Sequence, residues 1–353
     1  MVKLGYVSLT NGPTPDAIKA IPVDIESPTE DRRSKTVFIF HDETTFHSND
    51  DQILKWGLKG EKIMKSKSKG AGIMLSDFID NHNGFLALTD EEYDQAKQSN
   101  PDVKKYARDF LEYGENKEGY WNLKRFVAHM HRAIKIAEIK YPKDQGWRLC
   151  WIFDNSSCHN AMADDALHVN RMTVFPGGKQ RILRDTSYNG KEQRMYTVVN
   201  GQKVAKGLKR VLEERGISTD GRNKEWMQSV PVLSQHIDFK FEKCEIEKTL
   251  IHKGHIPTFL PKFHPELNPI ERVWAQMKRY TRAHCNYSIQ SLRVNIPNSY
   301  ESITNENIQN HCRKVRHYMF GYLEGLVPGK ELDEKLKKYK TAVKSHRRIG
   351  IHE

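Results

Sequence analysis

P-K-F-H-P-E-L-N-P-I-E-R-V-W, residues 261–274, is the stretch on which the fold turns. Inside it, Asn268-Pro269 reads as a helix N-cap followed by proline at the first helical position, where a missing N–H costs nothing. Glu271 then falls in the first turn of a helix continued by Val273, Trp274, Met277, Lys278 and Tyr280. The positive end of the helix dipole favours a carboxylate there. Residues 255–260 (H-I-P-T-F-L) read as the preceding strand, so the Glu271 oxygens are expected in the space in front of it. One carboxylate at a strand–helix junction is weak evidence by itself. It gains weight because two other strands end in acids.

The first of these is 36–40, T-V-F-I-F, a short buried-type strand that runs into His41-Asp42-Glu43-Thr44. The second is 147–153, W-R-L-C-W-I-F, which ends in Asp154 and is followed by N-S-S-C-H-N at 155–160. Between them, 70–79 and 84–88 extend the first strand into an antiparallel meander, with turn residues Asn81, Asn83 and Gly84. Residues 53–58 are a further apolar stretch. The lysine run 59–69 lies on a hairpin connection, as a solvated loop or as a phosphate-contacting one. Residues 89–119 read as one or two short helices at the sheet edge. In 120–141, Leu123, Phe126, Val127, Met130, Ile134 and Ala137 recur at helical spacing, and Pro142 stops the helix. A helix is also expected over 161–169. Residues 170–253 break the alternation, being basic and dotted with glycine, and read as an inserted subdomain with a helix at 205–215. A last amphipathic helix covers 305–322, before a lysine-rich tail.

The 353 residues suffice for one large domain or two ordinary ones. A formal net charge of +12 favours a polyanionic partner such as nucleic acid. Five cysteines in a chain this long do not make a disulfide framework, which fits a reducing, intracellular setting. No apolar run reaches membrane-spanning length, so no membrane partner is expected. Cys244, His252 and His255 are zinc-ligand types, with no fourth ligand evident.

Asp42, Asp154 and Glu271 thus stand in equivalent places. Acids at strand ends of an α/β sheet converge even when far apart in sequence. Three crowded carboxylates repel one another unless cations neutralise them. Hard divalent ions with oxygen ligands, Mg²⁺ or Mn²⁺, suit such a set. Two of them can clamp the attacking and leaving oxygens of a phosphoryl displacement. The basic surface supplies the other half. Lys65, Lys67, Lys69, Lys179, Arg181, Arg184, Lys191, Arg194, Arg272 and Lys278 are the candidate contacts to a DNA backbone.

H-D-E-T at 41–44, W-I-F-D-N-S-S-C-H-N at 151–160 and L-N-P-I-E-R-V-W at 267–274 resemble the three signature blocks of mariner-like transposases, or DDE superfamily endonucleases. The resemblance implies an α/β, RNase H-like fold: a mixed five-stranded sheet flanked by helices. It implies Mg²⁺-dependent cutting and strand transfer of DNA, and a nuclear location. A homodimer is compatible with it. By the same resemblance Asp42 bridges both metals, Asp154 binds one and Glu271 the other. Glu43 and Asn268 are supporting residues, with Glu43 in place of Asp42 as metal ligand the alternative. Asn155 and His159 either orient ligands and contact the scissile phosphate, or serve as a cap or satisfied interior polar group. The expected organisation is an N-terminal arm (1–35), a catalytic core (36–169 and 254–300), an inserted basic subdomain (170–253) and a C-terminal helix with a basic tail (301–353). Two departures from the family pattern stand out. The insertion separates the second and third acids. The paired helix-turn-helix modules that family members carry before the first strand do not fit in 1–35, broken by Pro13, Pro15, Pro22 and Pro28, so the chain reads as truncated, a fragment or a domesticated remnant. The competing function is that of a catalytically idle relic which binds DNA or protein.

Overall fold

The computed structural model describes residues 35–52, 67–228 and 232–345. In chain order its elements are β1 (Thr36–His47), β2 (Gly72–Asp80), β3 (Gly84–Phe85), α1 (Asp90–Ser99), β4 (Asp109–Leu111), α2 (Leu123–Lys140) and β5 (Arg148–Phe153). Next come β6 (Thr186–Tyr188), β7 (Lys191–Gln193), β8 (Tyr196–Val199), β9 (Gln202–Ala205), α3 (Leu208–Glu214), α4 (Lys224–Gln228), α5 (Ile237–Lys240) and α6 (Glu245–His252). The chain closes with β10 (Ile256–Phe259), α7 (Ile270–Ala283), α8 (Ile289–Glu301), α9 (Asn305–Leu323) and α10 (Lys330–Ser345). No helix among the described residues is long and apolar enough to cross a membrane.

Two compact units share these elements: one runs to His159 and resumes at Leu250, and the other is Asn160–Thr249. The first is built on a mixed sheet in the order β10-β5-β1-β2-β3, with β4 pairing β2 as well. β1 runs antiparallel to β2 and parallel to β5, and β10 runs parallel to β5. An antiparallel meander extended by two parallel strands is the RNase H-like mixed sheet, here with β4 added.

Side chains alternate across a strand, and β1 uses both faces. Phe40 and Phe46 share one core with Ile73, Leu75 and Ile79 of β2, Cys150 and Ile152 of β5, and Ile270, Val273, Trp274 and Met277 of α7. His41 points the other way, against Phe78, Phe126 of α2 and Phe153. Asn122 caps α2 by accepting from Arg125 N–H, and α2 buries Phe126, Met130, Ile134 and Ala137.

Several expectations need correcting. β1 does not end before Asp42 but continues to His47, because it pairs with β2 over Ile39–His47, with His41, Asp42 and Thr44 buried. Residues 161–169 form no α-helix: the carbonyls of Met162, Ala163 and Asp164 accept from the Arg171 guanidinium. The stretch 89–119 holds one helix and then a strand, β4, hydrogen-bonded to β2. α8 was hidden by its internal Pro297, and Ser288 caps it by accepting from Ser291 N–H. The lysine-rich tail is helical over α10. Residues 53–58 and most of the lysine run lie outside the described residues.

The second unit has its own core of Leu167, Val169, Met172, Leu183, Leu208, Val211, Leu212 and Phe239. Leu167 and Val169 draw into this unit a segment that the sequence pattern gives to the catalytic core. Its strands form two hairpins, β6–β7 and β8–β9. Arg215, with its side chain 1% exposed, is paired to Asp238 at 2.6 Å.

Asp77 faces the helical side of β2, opposite Asp42 on β1. Its carboxylate accepts from Phe78 N–H (2.7 Å) and from the Tyr300 hydroxyl (2.8 Å). Burial pushes it up to about 7, with those hydrogen bonds opposing. A carboxyl raised on folding binds its proton more tightly in the native state. Its stabilising contribution is therefore full below the unfolded value of about 3.9 and is lost as pH rises toward 7. Asp77→Asn keeps an acceptor but removes the titration. In urea unfolding, wild type should lose up to about 4 kcal/mol relative to Asp77→Asn between pH 4 and 7. Parallel pH profiles would contradict this reading.

Candidate active site

Strand register delivers the first two acids. Phe40 of β1 pairs with Ile152 of β5 in parallel. Two residues further along each strand stand Asp42 and Asp154, so they arrive at one level of the sheet. The third acid comes with α7, which begins at Ile270 rather than at Pro269, and Glu271 occupies its first turn. Asn268 is not the cap expected of it. Its Nδ2 donates to the His41 carbonyl at 3.0 Å, which fastens the start of α7 to β1 beside Asp42. Its Oδ1 is buried without a hydrogen-bond partner. One turn on, Trp274 donates its indole N–H to Asp42 Oδ2 at 3.3 Å. The tryptophan of the third block was expected only as part of the helix; its spacing of three from Glu271 was the available signal. Asn155 donates to the Leu260 carbonyl at 2.7 Å and so ties the turn after β5 to the end of β10.

The electrostatics of the three acids are those of a crowded set. Burial raises Asp42 well above the usual carboxylate range, and the charges of Glu271, Glu43 and Asp154 add to it. Desolvation also raises Glu271, with Lys278 and a hydrogen bond to Asp42 opposing and the Asp154 charge adding. Burial would raise Asp154 as well, but the hydrogen bond and charge of His159, with the Ser156 N–H, outweigh it and hold Asp154 low. Lys278 lies half-buried by the Phe46 ring, where burial lowers it and the charge of Glu271 opposes. A buried carboxylate crowded by two further acids fits a divalent cation.

Residues 41 and 43 point to the opposite face of β1 from Asp42. There, His41 Nδ1 lies 3.0 Å from His159 Nε2, and Glu43 Oε2 lies 3.5 Å from the same nitrogen. His159 Nδ1 is hydrogen-bonded to Asp154 Oδ1. Glu43 Oε1 accepts the Trp121 indole N–H at 2.8 Å. Burial would lower His159, but its hydrogen bonds and charge interactions with Asp154 and Glu43 lift it to about 10. Positive charge is therefore favoured at this ring. Among the described residues, the one tight group of metal-ligand types is His41, Glu43 and His159, not the three acids. The sequence signal for it was the H-x-E alternation at 41 and 43. His255, one of the zinc-type residues, instead faces Glu138 at 3.2 Å.

The candidate DNA contacts fall into distinct environments. Lys67, Lys69, Lys179, Lys191 and Arg194 are exposed. Arg181 is paired with Asp164, and Arg184 with Asp165 and Glu242. Arg272 lies over the Tyr318 ring with its Nε buried and unpartnered. Lys65 lies outside the described residues.

Repulsion within the acid set has a measurable consequence. Because Asp42 and Glu271 are raised on folding, their charged forms cost stability above pH ~4, in the absence of a cation. At pH 8 without metal, Asp42→Asn should melt at a higher temperature than wild type. Mg²⁺ should raise the wild-type melting temperature and leave the variant's nearly unchanged. Equal Mg²⁺ shifts in the two proteins would contradict a cation at Asp42.

No protein-family model and no curated protein sequence matches the chain. Among solved structures it is similar to Mos1 mariner transposase complexes. A pre-cleavage Mos1 transpososome aligns at 10% identity and a TM-score of 0.42, covering 81% of this chain and 54% of that one. The Mos1 mariner paired end complex with Mn aligns at 11% and 0.41, covering 79% and 52%. The complex with Mg aligns at 12% and 0.39, with the same coverage. The chain spans about half the length of these transposase chains. At such TM-scores the likeness says nothing about the chemistry of the site.

Proposed function

We propose that the chain carries the catalytic domain of a DDE-type DNA nuclease and transposase, and that Asp42, Asp154 and Glu271 hold two Mg²⁺ or Mn²⁺ ions. The observation that carries this reading is the meeting of β1, β5 and α7. Two adjacent parallel strands bring Asp42 and Asp154 level, and Asn268 clamps the helix bearing Glu271 to the same point of β1. The chemistry such ions supply is charge stabilisation and nucleophile activation for in-line displacement at phosphorus.

Each residue then has a task of its own. Asp42, the buried one of the three, would hold the cations together with Asp154 and Glu271. Asp154 is kept ionised and oriented by His159 and the Ser156 N–H. Glu271 approaches from the helix side. Trp274 fixes Asp42 by its indole N–H, and Asn155 holds the turn carrying Asp154. The exposed lysines and Arg194 would hold the DNA backbone, with no sequence information in those contacts.

The purified chain should nick supercoiled plasmid in the presence of Mg²⁺. Asp154→Asn or Glu271→Gln should lower the rate by at least about a hundredfold, because losing a bound cation removes several kcal/mol of transition-state stabilisation. DNA binding should survive in both variants. Undiminished cutting by Asp154→Asn would rule out the assignment, and a wild type that binds DNA but never cuts would favour the idle-relic reading.

Fluorescence anisotropy on arbitrary duplex DNA should show affinity falling steeply between about 50 and 200 mM salt. Reversing Lys179, Lys191 and Arg194 to glutamate should flatten that slope, since fewer counterions are released. An unchanged slope would remove the second unit from the DNA-binding surface.

A further inference from the structure

On the face of β1 away from Asp42, hydrogen-bond directions are fixed from both ends and meet at one point. At one end is the Ala107 carbonyl, which can only accept, so His129 Nε2 donates to it. Burial holds His129 at about 4, so it is neutral and its Nδ1 carries a lone pair. The Ser76 hydroxyl, 3.0 Å away, donates to that Nδ1. Ser76 Oγ then accepts from His41 Nε2 at 2.8 Å. With its proton at Nε2, a His41 imidazole presents a lone pair at Nδ1. At the other end Asp154 Oδ1 accepts from His159 Nδ1. A His159 carrying only the proton at Nδ1 presents a lone pair at Nε2.

His41 Nδ1, His159 Nε2 and Glu43 Oε2 are therefore three electron-pair donors aimed together, all within 4.8 Å of one another. Both imidazoles are fully buried, so water cannot relieve them. Either a second proton on His159 or a metal ion among them would balance the set. A second proton on His159 could point at His41 Nδ1 or at Glu43 Oε2, but one N–H cannot serve both well. A metal ion can bond all three. Nitrogens bound at about 2.0–2.1 Å to one tetrahedral ion lie roughly 3.3 Å apart, close to the 3.0 Å observed. The outer partners are those that metal-ligating histidines require: Asp154 on the far nitrogen of His159, Ser76 on that of His41, and Trp121 on the far oxygen of Glu43.

We propose that His41 Nδ1, His159 Nε2 and Glu43 Oε2 form a second cation site, of the His₂–carboxylate type that takes Zn²⁺, separate from the three acids. Two imidazoles and one carboxylate are borderline ligands, which suit zinc rather than Mg²⁺. The ion would tie the middle of β1 to the turn after β5 and fix Asp154 through His159.

The test uses Zn²⁺ alone and no DNA, so its outcome is independent of the proposed nuclease activity. The full chain is equilibrated with Zn²⁺, washed with a weak chelator and analysed for bound metal and by zinc K-edge absorption. Wild type and the Asp42→Asn/Glu271→Gln double variant should each retain about one zinc per chain, with scattering from two imidazoles. His41→Gln should lose it. Absence of tightly held zinc from wild type, a spectrum without imidazole scattering, or equal retention by His41→Gln would overturn the site and leave a proton on His159 to close the array. If His41→Gln does not fold, the wild-type spectrum still decides.

Discussion

Repulsion between the buried Asp42 carboxylate and its more exposed neighbours Glu271 and Asp154 is the constraint on which this architecture depends. Asp42 is raised well above its ordinary range, by burial and then by the charges of Glu271, Glu43 and Asp154. Nothing in the packing of a sheet requires acids at that point; an apolar residue at 42 would pack against Trp274 at no electrostatic cost. The fold instead spends hydrogen bonds on keeping the acids there. Trp274 holds Asp42, His159 and Ser156 hold Asp154, and Asn268 holds the helix that carries Glu271. Groups that destabilise the resting chain and are nonetheless held in place are expected where a ligand completes the charge balance.

β1 divides this work by its two-residue period. Even positions, Phe40, Asp42 and Phe46, face α7 and its neighbours; His41 and Glu43 face α2. Each face thus carries ionisable groups. The two meet at Asp154, which belongs to the acid set and also accepts the His159 N–H. A change on either face should be felt on the other through that residue.

Much of this was legible in the sequence, for local reasons. The apolar run at 147–153 and the helix opening at Asn268-Pro269 placed Asp154 and Glu271 to within a residue or two, because each lies at the end of an element with clear punctuation. Asp42 was placed in the right strand but wrongly at its end. Polar His41, Asp42 and Glu43 look like a strand terminus, and only tertiary burial reveals that β1 continues to His47. The helix expected at 161–169 failed because Arg171 takes its carbonyls, a competition that local propensity does not register. The converse failure is α8, a helix that forms in spite of Pro297. The convergence of His41, Glu43 and His159 required knowing that β1 and β5 are parallel neighbours, which no short pattern states.

The central claim, that Asp42, Asp154 and Glu271 are held together to bind a pair of divalent ions, is most directly tested by electron paramagnetic resonance of the chain titrated with Mn²⁺. Two bound ions about 3.5–4 Å apart, sharing one carboxylate, should give a spin-coupled signal that is absent from Asp42→Asn. A single uncoupled Mn²⁺ per chain, or a coupled signal that persists when Asp42 is replaced, would contradict it.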